Sequence, residues 1–279
     1  MKETVISKYS VLGDDIYYHH TRSEADGGYH TSVPDAHAQY ELLYLLEGEL
    51  SYIIEGESYR VGKGDMIFVS PNEIHTLDVN GNLPYERIVL LFDMEILNVM
   101  MKRMGTCLHA FSYGRKNRFH VIDSSTVKNH GLERILSDII ESEDDGYKKI
   151  NIISSLIRLV VSIDRIISES TPYFKKPDKR DMLVSAVSEY IDRNIEREIR
   201  LEDIAKELFV SKSTLCHKFS SVMNLSVGRY ITMKKIYRAV LLIKNGASSR
   251  SAAEAVGYDN YASFFYNYKR IIGHSPSVQ

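Results

Sequence analysis

Residues 201–219 read LEDIAKELFVSKSTLCHKF, two apolar stripes at helical spacing interrupted at Phe209, Val210 and Ser211. Leu201, Ile204, Ala205 and Leu208 fall at i, i+3, i+4 and i+7, one face of a helix. Ser211 is placed to N-cap a second helix, whose stripe is Leu215, Phe219 and Val222. Two helices this short cannot enclose a core, but the first can hold the second out as a rigid probe. Small Ala205 permits close crossing, and Lys212, Ser213, Cys216, His217 and Lys218 are left to face outward. This is the layout of a helix-turn-helix. An ordinary helical hairpin has the same local pattern, so the choice falls to the rest of the chain.

A second copy of the pattern makes that choice. In RSAAEAVGYDNYASFFYNYKRIIG (250–273), Ala253 and Gly257 repeat the spacing of Ala205 and Phe209. Asp259 or Asn260 can cap the helix that follows, with Phe264 and Tyr268 in the places of Leu215 and Phe219. Between the two units, Ser226 to Asn245 reads as a helix capped by Ser226 and stopped by Gly246. At 1.5 Å per residue it is about 27–30 Å long. Major-groove faces on one side of B-DNA recur every ~34 Å. Such a spacer can set two recognition helices in adjacent grooves.

Charge points the same way. From Leu201 onward there are eleven Lys and Arg against five Asp and Glu, although the whole chain has a net charge of −2. Between Glu207 and Glu254 there is no acid but eight bases: Lys212, Lys218, Arg229, Lys234, Lys235, Arg238, Lys244 and Arg250. A solvated face normally mixes signs, so the bias favours a polyanion.

The first hundred residues have another period. QYELLYLLEG, ELSYIIEG, ESYRVGKG, DMIFVSPNE and YERIVLLFD are short apolar runs punctuated by turn residues, the pattern of an antiparallel sheet or barrel. Gly48, Gly56, Gly62, Gly64 and Gly81 fall where hairpins use positive φ. After Asp123 helical spacing begins. Ser124 or Ser125 is expected to cap a helix running through Leu132, Ile135, Leu136 and Ile139. The helix after Lys149 carries two stripes, Ile150, Ile153, Ile157, Val160 and Ile167 on one, Ile152, Leu156, Leu159, Ile163 and Ile166 on the other. One stripe suffices to pack a surface helix on its own domain. The second predicts dimerisation through Ile152, Leu156, Leu159 and Ile163; the alternative is burial of both within one chain. TPYFKKPDKR (171–180) reads as a linker.

The predicted fold is therefore α+β with two domains. Residues 1–123 form an effector-binding antiparallel β-barrel, 124–170 a helical dimerisation segment, 171–180 a linker and 181–279 an all-α domain with two helix-turn-helix units. Apolar residues make up 44% and charged residues 26%, as in ordinary globular chains. No apolar run is long enough to span a bilayer, and MKETVISKYSV lacks a signal core. Cys107 and Cys216 define no disulfide framework, so a cytoplasmic location is expected.

From about Asp181 onward the chain resembles the DNA-binding domain of the AraC family of transcription regulators. LEDIAKEL, SKSTLCHKF, RAVLLIKNG, AAEAVGYDN and GHSP fall in that family's order. HAQYELLYLLEGEL and GKGDMIFVSPNEIH, within residues 37–75, resemble the cupin-like sensory domain of such regulators. The resemblance implies that Ser213, Cys216 and His217 of the first unit face base edges, flanked by phosphate-contacting Lys212 and Lys218. Ala262, Phe265 and Tyr266 do so in the second, with Tyr261 and Lys269 beside them. Two departures stand out. Phe209 replaces the usual turn glycine, and Phe265 and Tyr266 replace polar or arginine side chains. Aromatic residues make no bidentate guanine contact, so the second unit should add affinity more than discrimination.

The barrel interior is the expected effector pocket. His37, Glu41, Tyr44, Tyr52 and His75 are the candidate groups for orienting a small polar, sugar-like molecule. Alternation puts Tyr40, Leu42, Tyr44 and Leu46 on one face of their strand and Glu41, Leu43 and Leu45 on the other. Asp35, His37, Glu41 and His75 also occupy the positions of cupin metal ligands. The common cupin pattern has histidine at Asp35, and sensory members mostly lack a metal, so no cofactor is expected. A metal-dependent cupin enzyme or metal sensor fused to a DNA-binding domain is the alternative. No Ser-His-Asp grouping, phosphate-cradling glycine loop or CxxC pair is present, and no enzymatic activity is expected. Expected partners are double-stranded DNA, a small effector, a second copy of the chain and, as a further candidate, RNA polymerase.

Overall fold

A computed structural model describes residues 2–13, 15–93, 97, 103, 120–142, 145–169 and 174–276. Cys107 and the first part of the expected linker, 171–173, lie outside the described residues. Strands β1 (Glu3–Val11), β2 (Ile16–Ser23), β3 (Tyr29–Thr31), β4 (Tyr40–Glu47), β5 (Glu49–Ile54), β6 (Glu57–Gly62), β7 (Met66–Val69), β8 (His75–Asn80), β9 (Tyr85–Phe92), β10 (Val121–Ile122) and β11 (Lys179–Arg180) form two antiparallel sheets. One has the order β1-β2-β9-β4-β7-β10, the other β11-β6-β5-β8-β3. Gly48, Gly56 and Gly64 have the positive φ expected of them, whereas Gly62 and Gly81 do not.

Strand β4 explains how the barrel is layered. In YELLYLLE, Leu43 and Leu45 point between the sheets and pack with Tyr52, Tyr59, Val61 and Val89. Leu42 and Tyr44 point the other way, into a second core shared with the helices that follow. Both faces of β4 are buried, so its sequence is a nearly unbroken apolar run.

Those helices are α1 (Ser124–Asn129), α2 (Leu132–Ile140) and α3 (Lys148–Glu169). The single helix expected from Ser124 through Ile139 is two. Asp123, not Ser124 or Ser125, caps α1 by accepting from Thr126 N, and Gly131 at φ 65° restarts the chain as α2. The dimerisation expected of α3 also needs correction. Ile152, Leu156, Leu159 and Ile163 are at most 1% exposed, packed against α2 and the outer face of β4 and β9. Val160, Ile166 and Ile167 are buried too, and Ile150 alone on the other stripe is largely exposed, with Ile153 and Ile157 partly covered. The strand's second face consumes the stripe that seemed surplus.

The rest is helical: α4 (Met182–Arg193), α5 (Leu201–Glu207), α6 (Lys212–Met223), α7 (Val227–Lys244), α8 (Ser249–Ala255) and α9 (Tyr261–Ile272). Ser211 caps α6 through Thr214 N, Ser226 caps α7 through Arg229 N, and Asn260 caps α9 through Ala262 N and Ser263 N. Helix α7 belongs to two cores. Tyr230 and Met233 pack with α4, α5 and α6, while Ile236, Ala239 and Ile243 pack with α8 and α9.

Residues 174–180 do not hang free between the domains. Lys175 N donates to Val121 O at 2.8 Å and Asp178 N to Ser58 O at 2.8 Å, and β11 pairs with β6. The barrel edge supplies backbone partners that the composition of a linker does not reveal. The helical domain then docks on the β5–β6 turn. A Cβ on Gly56 would lie 2.5 Å from Val184 Cγ1, and Ile53, Ala36 and Ile74 join the α4–α7 core. Beside the turn, Lys234 Nζ meets Glu55 Oε1 at 3.1 Å, Asp192 Oδ1 at 3.0 Å and Asn72 O at 3.0 Å. Ser188 and Tyr230 both donate to Glu55 Oε2.

Leu156→Glu or Ile163→Glu should destabilise the chain by about 3–5 kcal/mol, because each would place an unpaired charge in a closed core. Ile150→Glu should leave the melting temperature unchanged. Thermal unfolding of the three variants checks this; equal stability of all three would mean that the Leu156 stripe faces water.

Candidate functional site

The two sheets enclose a lining whose inward residues follow from register. Across β2, β9 and β4 the directly opposed sets are Tyr17–Leu91–Glu41, His19–Val89–Leu43 and Thr21–Arg87–Leu45. Leu43, Leu45 and Val89 lie between the sheets, so their cross-strand partners share that face. His37, Glu41, Tyr52 and His75 are brought together there, as the sequence predicts. His37 Nε2 lies 2.9 Å from Glu41 Oε2, His75 Nε2 3.7 Å from the same oxygen, and Tyr52 donates to Glu41 Oε1 at 2.8 Å. The two imidazole centroids are 5.2 Å apart, and the Tyr52 ring stacks on His75 at 5.8 Å.

Electrostatics here is a contest between burial and partners. Burial works to raise the Glu41 carboxyl, but its hydrogen bond to His37, the charges of both histidines and the Tyr52 hydroxyl outweigh it and bring it to about 2. Burial likewise opposes charge on His37, yet the Glu41 contact wins and raises its pKa. Burial, and then the Glu41 charge, push the Tyr52 phenol far up.

Two expected site residues are elsewhere. Tyr44 shares the outer face of β4 with Leu42 and sits among the helices, where burial and the Glu133 carboxylate push its phenol up to about 12. The period of two forbids it from joining Glu41, three residues away. Asp35 pairs with His75 only through the backbone, at 2.9 Å in both directions. Its side chain accepts from Ala36 N and faces Tyr237 of α7, in a cleft of about 720 Å³ between the domains. It is not a member of the Glu41 cluster.

Other lining residues escaped the sequence reading. Thr21 Oγ1, His19 Nδ1 and the Tyr85 hydroxyl are buried without a well-formed hydrogen bond among the described residues. Arg87 lies 4.8 Å over the Tyr85 ring and pairs with Glu3 at 2.9 Å. Burial, then the Arg87 charge, hold His19 below the ordinary histidine value. Buried polar atoms normally find partners, so this set on one interior face is the candidate lining for a bound molecule. The signal was present as alternation in IYYHHTRS and YERIVLLF, but only pairing with β4 shows which alternate residues point inward.

Thr21→Val and Tyr85→Phe should each change folding stability by no more than about 1 kcal/mol, since Thr21 Oγ1 has no partner and the Tyr85 hydroxyl has only the Arg87 side chain. Both should weaken effector binding. A larger loss of stability on melting would mean that these hydroxyls have further partners.

On the helical domain, Ser213, His217, Lys212 and Lys218 of α6 are exposed and Cys216 is half-buried. On α9, Ala262, Tyr266 and Lys269 are exposed and Phe265 is 36% exposed, while Tyr261 packs inward and shares a hydrogen bond with Ser249. Lys212 pairs with Glu202 at 2.5 Å, and Lys218 turns back to Asp181, the cap of α4, at 3.0 Å. The basic stretch is less available than its count implies. Lys234 is 1% exposed, Lys235 is buried on the carbonyls of Arg197 and Gly257, and Lys244 pairs with Asp93. Burial removes Lys234 and Lys235 from any polyanion, and the exposed Lys244 is engaged by Asp93.

The two turns are homologous in conformation. Phe209 has φ 54° and Gly257 φ 68°. Phe209 is 95% exposed, so its ring does nothing to offset the left-handed conformation. Phe209→Gly should stabilise the chain by about 0.5–1 kcal/mol, the relieved strain exceeding the added freedom of the unfolded chain. Chemical denaturation measures this; a destabilised variant would show that the phenyl ring holds the turn.

A two-sheet barrel with a polar interior is joined to paired helix-turn-helix units on one spine. Comparisons agree. Residues 17–143 match the AraC-like ligand binding domain and residues 204–278 a helix-turn-helix domain. The HTH-type transcriptional regulator YkgA of Escherichia coli K12 is 30% identical over 98 residues, 35% of this chain and 41% of that protein, so the match spans less than half of that relative. The Msm operon regulatory protein of Streptococcus mutans is 22% identical across 98% of this chain and 95% of its own. The crystal structure of ToxT from Vibrio cholerae covers 94% of this chain and 96% of its own at 16% identity and a TM-score of 0.40. The two matched regions are the AraC-like ligand binding domain and a helix-turn-helix domain, in that order along one chain.

Proposed function

We propose that the chain is a DNA-binding transcription regulator, not an enzyme, controlled by a small polar effector held inside the barrel. The observation that carries this reading is that α6 and α9 both pack on one helix, α7, through their buried stripes while Ser213 and His217 of α6 and Ala262, Phe265 and Tyr266 of α9 stay exposed. Helix α7 has 18 residues and is about 27 Å long, close to one turn of B-DNA. Ser213 and His217 are the side chains for base edges, and Lys212 and Lys269 those for phosphate. Phe265 and Tyr266 suit thymine methyls and backbone.

The effector reading rests on the inward set of Glu41, His37, Tyr52 and His75 with Thr21, Tyr85, His19 and Arg87. Hydroxyls, imidazoles and a guanidinium suit a molecule with several oxygens, a sugar among them. An effector changes DNA binding only by favouring one arrangement of the chain over another. The physical link is short: the β5–β6 turn carries Glu55, two residues beyond Ile53 on the strand that bears Tyr52, and Glu55 meets Lys234 of α7. A second copy of the chain would meet the Ile150, Ile153 and Ile157 row of α3 and not the buried one.

The full chain should bind duplex DNA with affinity that falls steeply with salt, as phosphate neutralisation releases counterions. His217→Ala should relax sequence preference at a cost of about 1–3 kcal/mol on the preferred site, whereas Lys212→Ala should weaken all duplexes equally. Binding isotherms at several salt concentrations decide between them. A flat salt dependence would remove DNA as the partner, and a preference shifted by Lys212→Ala alone would reverse the orientation of α6.

A further inference from the structure

We propose that Lys235 is a positioning residue that fixes the two helix-turn-helix units against each other, so that α6 and α9 meet DNA as one reading head of set spacing. The inference rests on the reading of these two helices as the DNA-contacting pair. Helix α7 alone sets how far apart the units lie, not how each is turned about its axis. Each unit packs on α7 through its own core, and the two cores share Ile271 and Ile272, both only partly buried. Fixing the rotation takes a link that stands away from the axis.

Lys235 supplies such a link. Its Nζ donates to Arg197 O at 2.7 Å and to Gly257 O at 3.2 Å. Arg197 lies in the loop between α4 and α5, at the entry to the first unit, and Gly257 in the turn between α8 and α9 of the second. The ammonium also stands 5.6 Å from the centroid of the Tyr258 ring, which meets Phe264 of α9 edge-on at 5.5 Å. Lys235 is 6% exposed. Burial holds its ammonium below the ordinary lysine value, against the charges of Asp259 and Glu198. An ammonium held away from water needs its three donors met, and two of them are met by carbonyls of different units. Turning one unit about α7 would strip a carbonyl from a buried charge.

The backbone at the same place supports this independently. The two turns share one conformation, yet the first holds Phe209 and the second Gly257. A Cβ on Gly257 would lie 2.7 Å from the N, Cα and C of Arg197, so only glycine admits this approach. Phe209 instead projects into solvent, 95% exposed. The turn that carries glycine is the one pressed against the other unit.

The test first reads the placing of the units on the free chain. Spin labels at Ser213→Cys on α6 and Tyr266→Cys on α9, in a chain with Cys107→Ser and Cys216→Ser, report the separation of the helices by pulsed electron resonance. With Lys235 in place the distance distribution should be single and narrow. Lys235→Met keeps the stem and loses the donors, and Gly257→Ala drives Arg197 away; each should at least double its width. Phe209→Ala, at the equivalent turn, should leave it narrow. DNA binding is then read on unlabelled chains, with a duplex that the wild-type chain selects from a random pool. Two base pairs inserted between the two contacted segments should cost the wild-type chain at least thirtyfold in affinity and Lys235→Met less than threefold. A broad distance with Lys235 in place overturns the proposal without reference to any variant. So does an unchanged narrow one in Lys235→Met, or in Gly257→Ala should Lys235→Met fail to fold. An equal spacing penalty in Lys235→Met and the wild-type chain also overturns it. A chain that passes the distance test but binds no duplex keeps the placing and loses the DNA reading, whereas one that binds duplex with a broad distance loses only the placing.

Discussion

Lys234 carries its ammonium to a place where almost no water reaches, and the docking of the two domains depends on how that charge is met. It is 1% exposed, with Glu55, Asp192 and the carbonyl of Asn72 each within 3.1 Å. Glu55 and Asn72 belong to the barrel, Asp192 to α4, and Lys234 itself to α7. A buried ammonium without its partners costs several kcal/mol, so sliding the domains past one another would be strongly unfavourable. Burial works to raise the Glu55 carboxyl, but Lys234 and the hydroxyls of Ser188 and Tyr230 pull it below its ordinary value. The contact is specific because every participant needs the others.

That contact changes what the barrel and the DNA-reading domain are to each other. A free linker would let the helical domain tumble and would leave an effector little to act on. Here 174–180 is paired to the barrel, and the β5–β6 turn is wedged against α4 by Gly56 and Val184. The same hairpin bears Tyr52 on its inner face and Glu55 at its tip. A ligand that shifts the Glu41–Tyr52 contact therefore acts on the strand that holds Lys234. Packed elements move as units, which makes such a small displacement transmissible.

The interior of the barrel follows a related logic. Its aliphatic half, Leu43, Leu45, Val61 and Val89, closes the gap between the sheets. Its polar half is incompletely satisfied at Thr21 and His19, while Glu41 is met by His37, His75 and Tyr52. The unmet groups of that half fit the polar effector proposed above.

Much of this was legible in the chain itself. Ser211, Ser226 and Asn260 were readable as caps, Ala205 and Ala253 as crossing points, and Phe209 with Gly257 as turns, because helix signals are local and their geometry is fixed within a few residues. His37, Glu41, Tyr52 and His75 were readable as one group through their places on strands and turns. What the sequence could not decide was what lies opposite a surface. The stripe of Leu156 and Ile163 is written identically whether it meets a second subunit or the outer face of β4. Tyr44 and Glu41 are separated only by alternation, and which side is inside depends on sheet pairing. Lys234 and Lys235 count towards the basic stretch until the fold brings Glu55 and the carbonyls of Arg197 and Gly257 to them. Helix, cap and turn are determined by neighbours in the chain, so sequence determines them; burial and pairing are determined by neighbours in space, and only the tertiary structure supplies those.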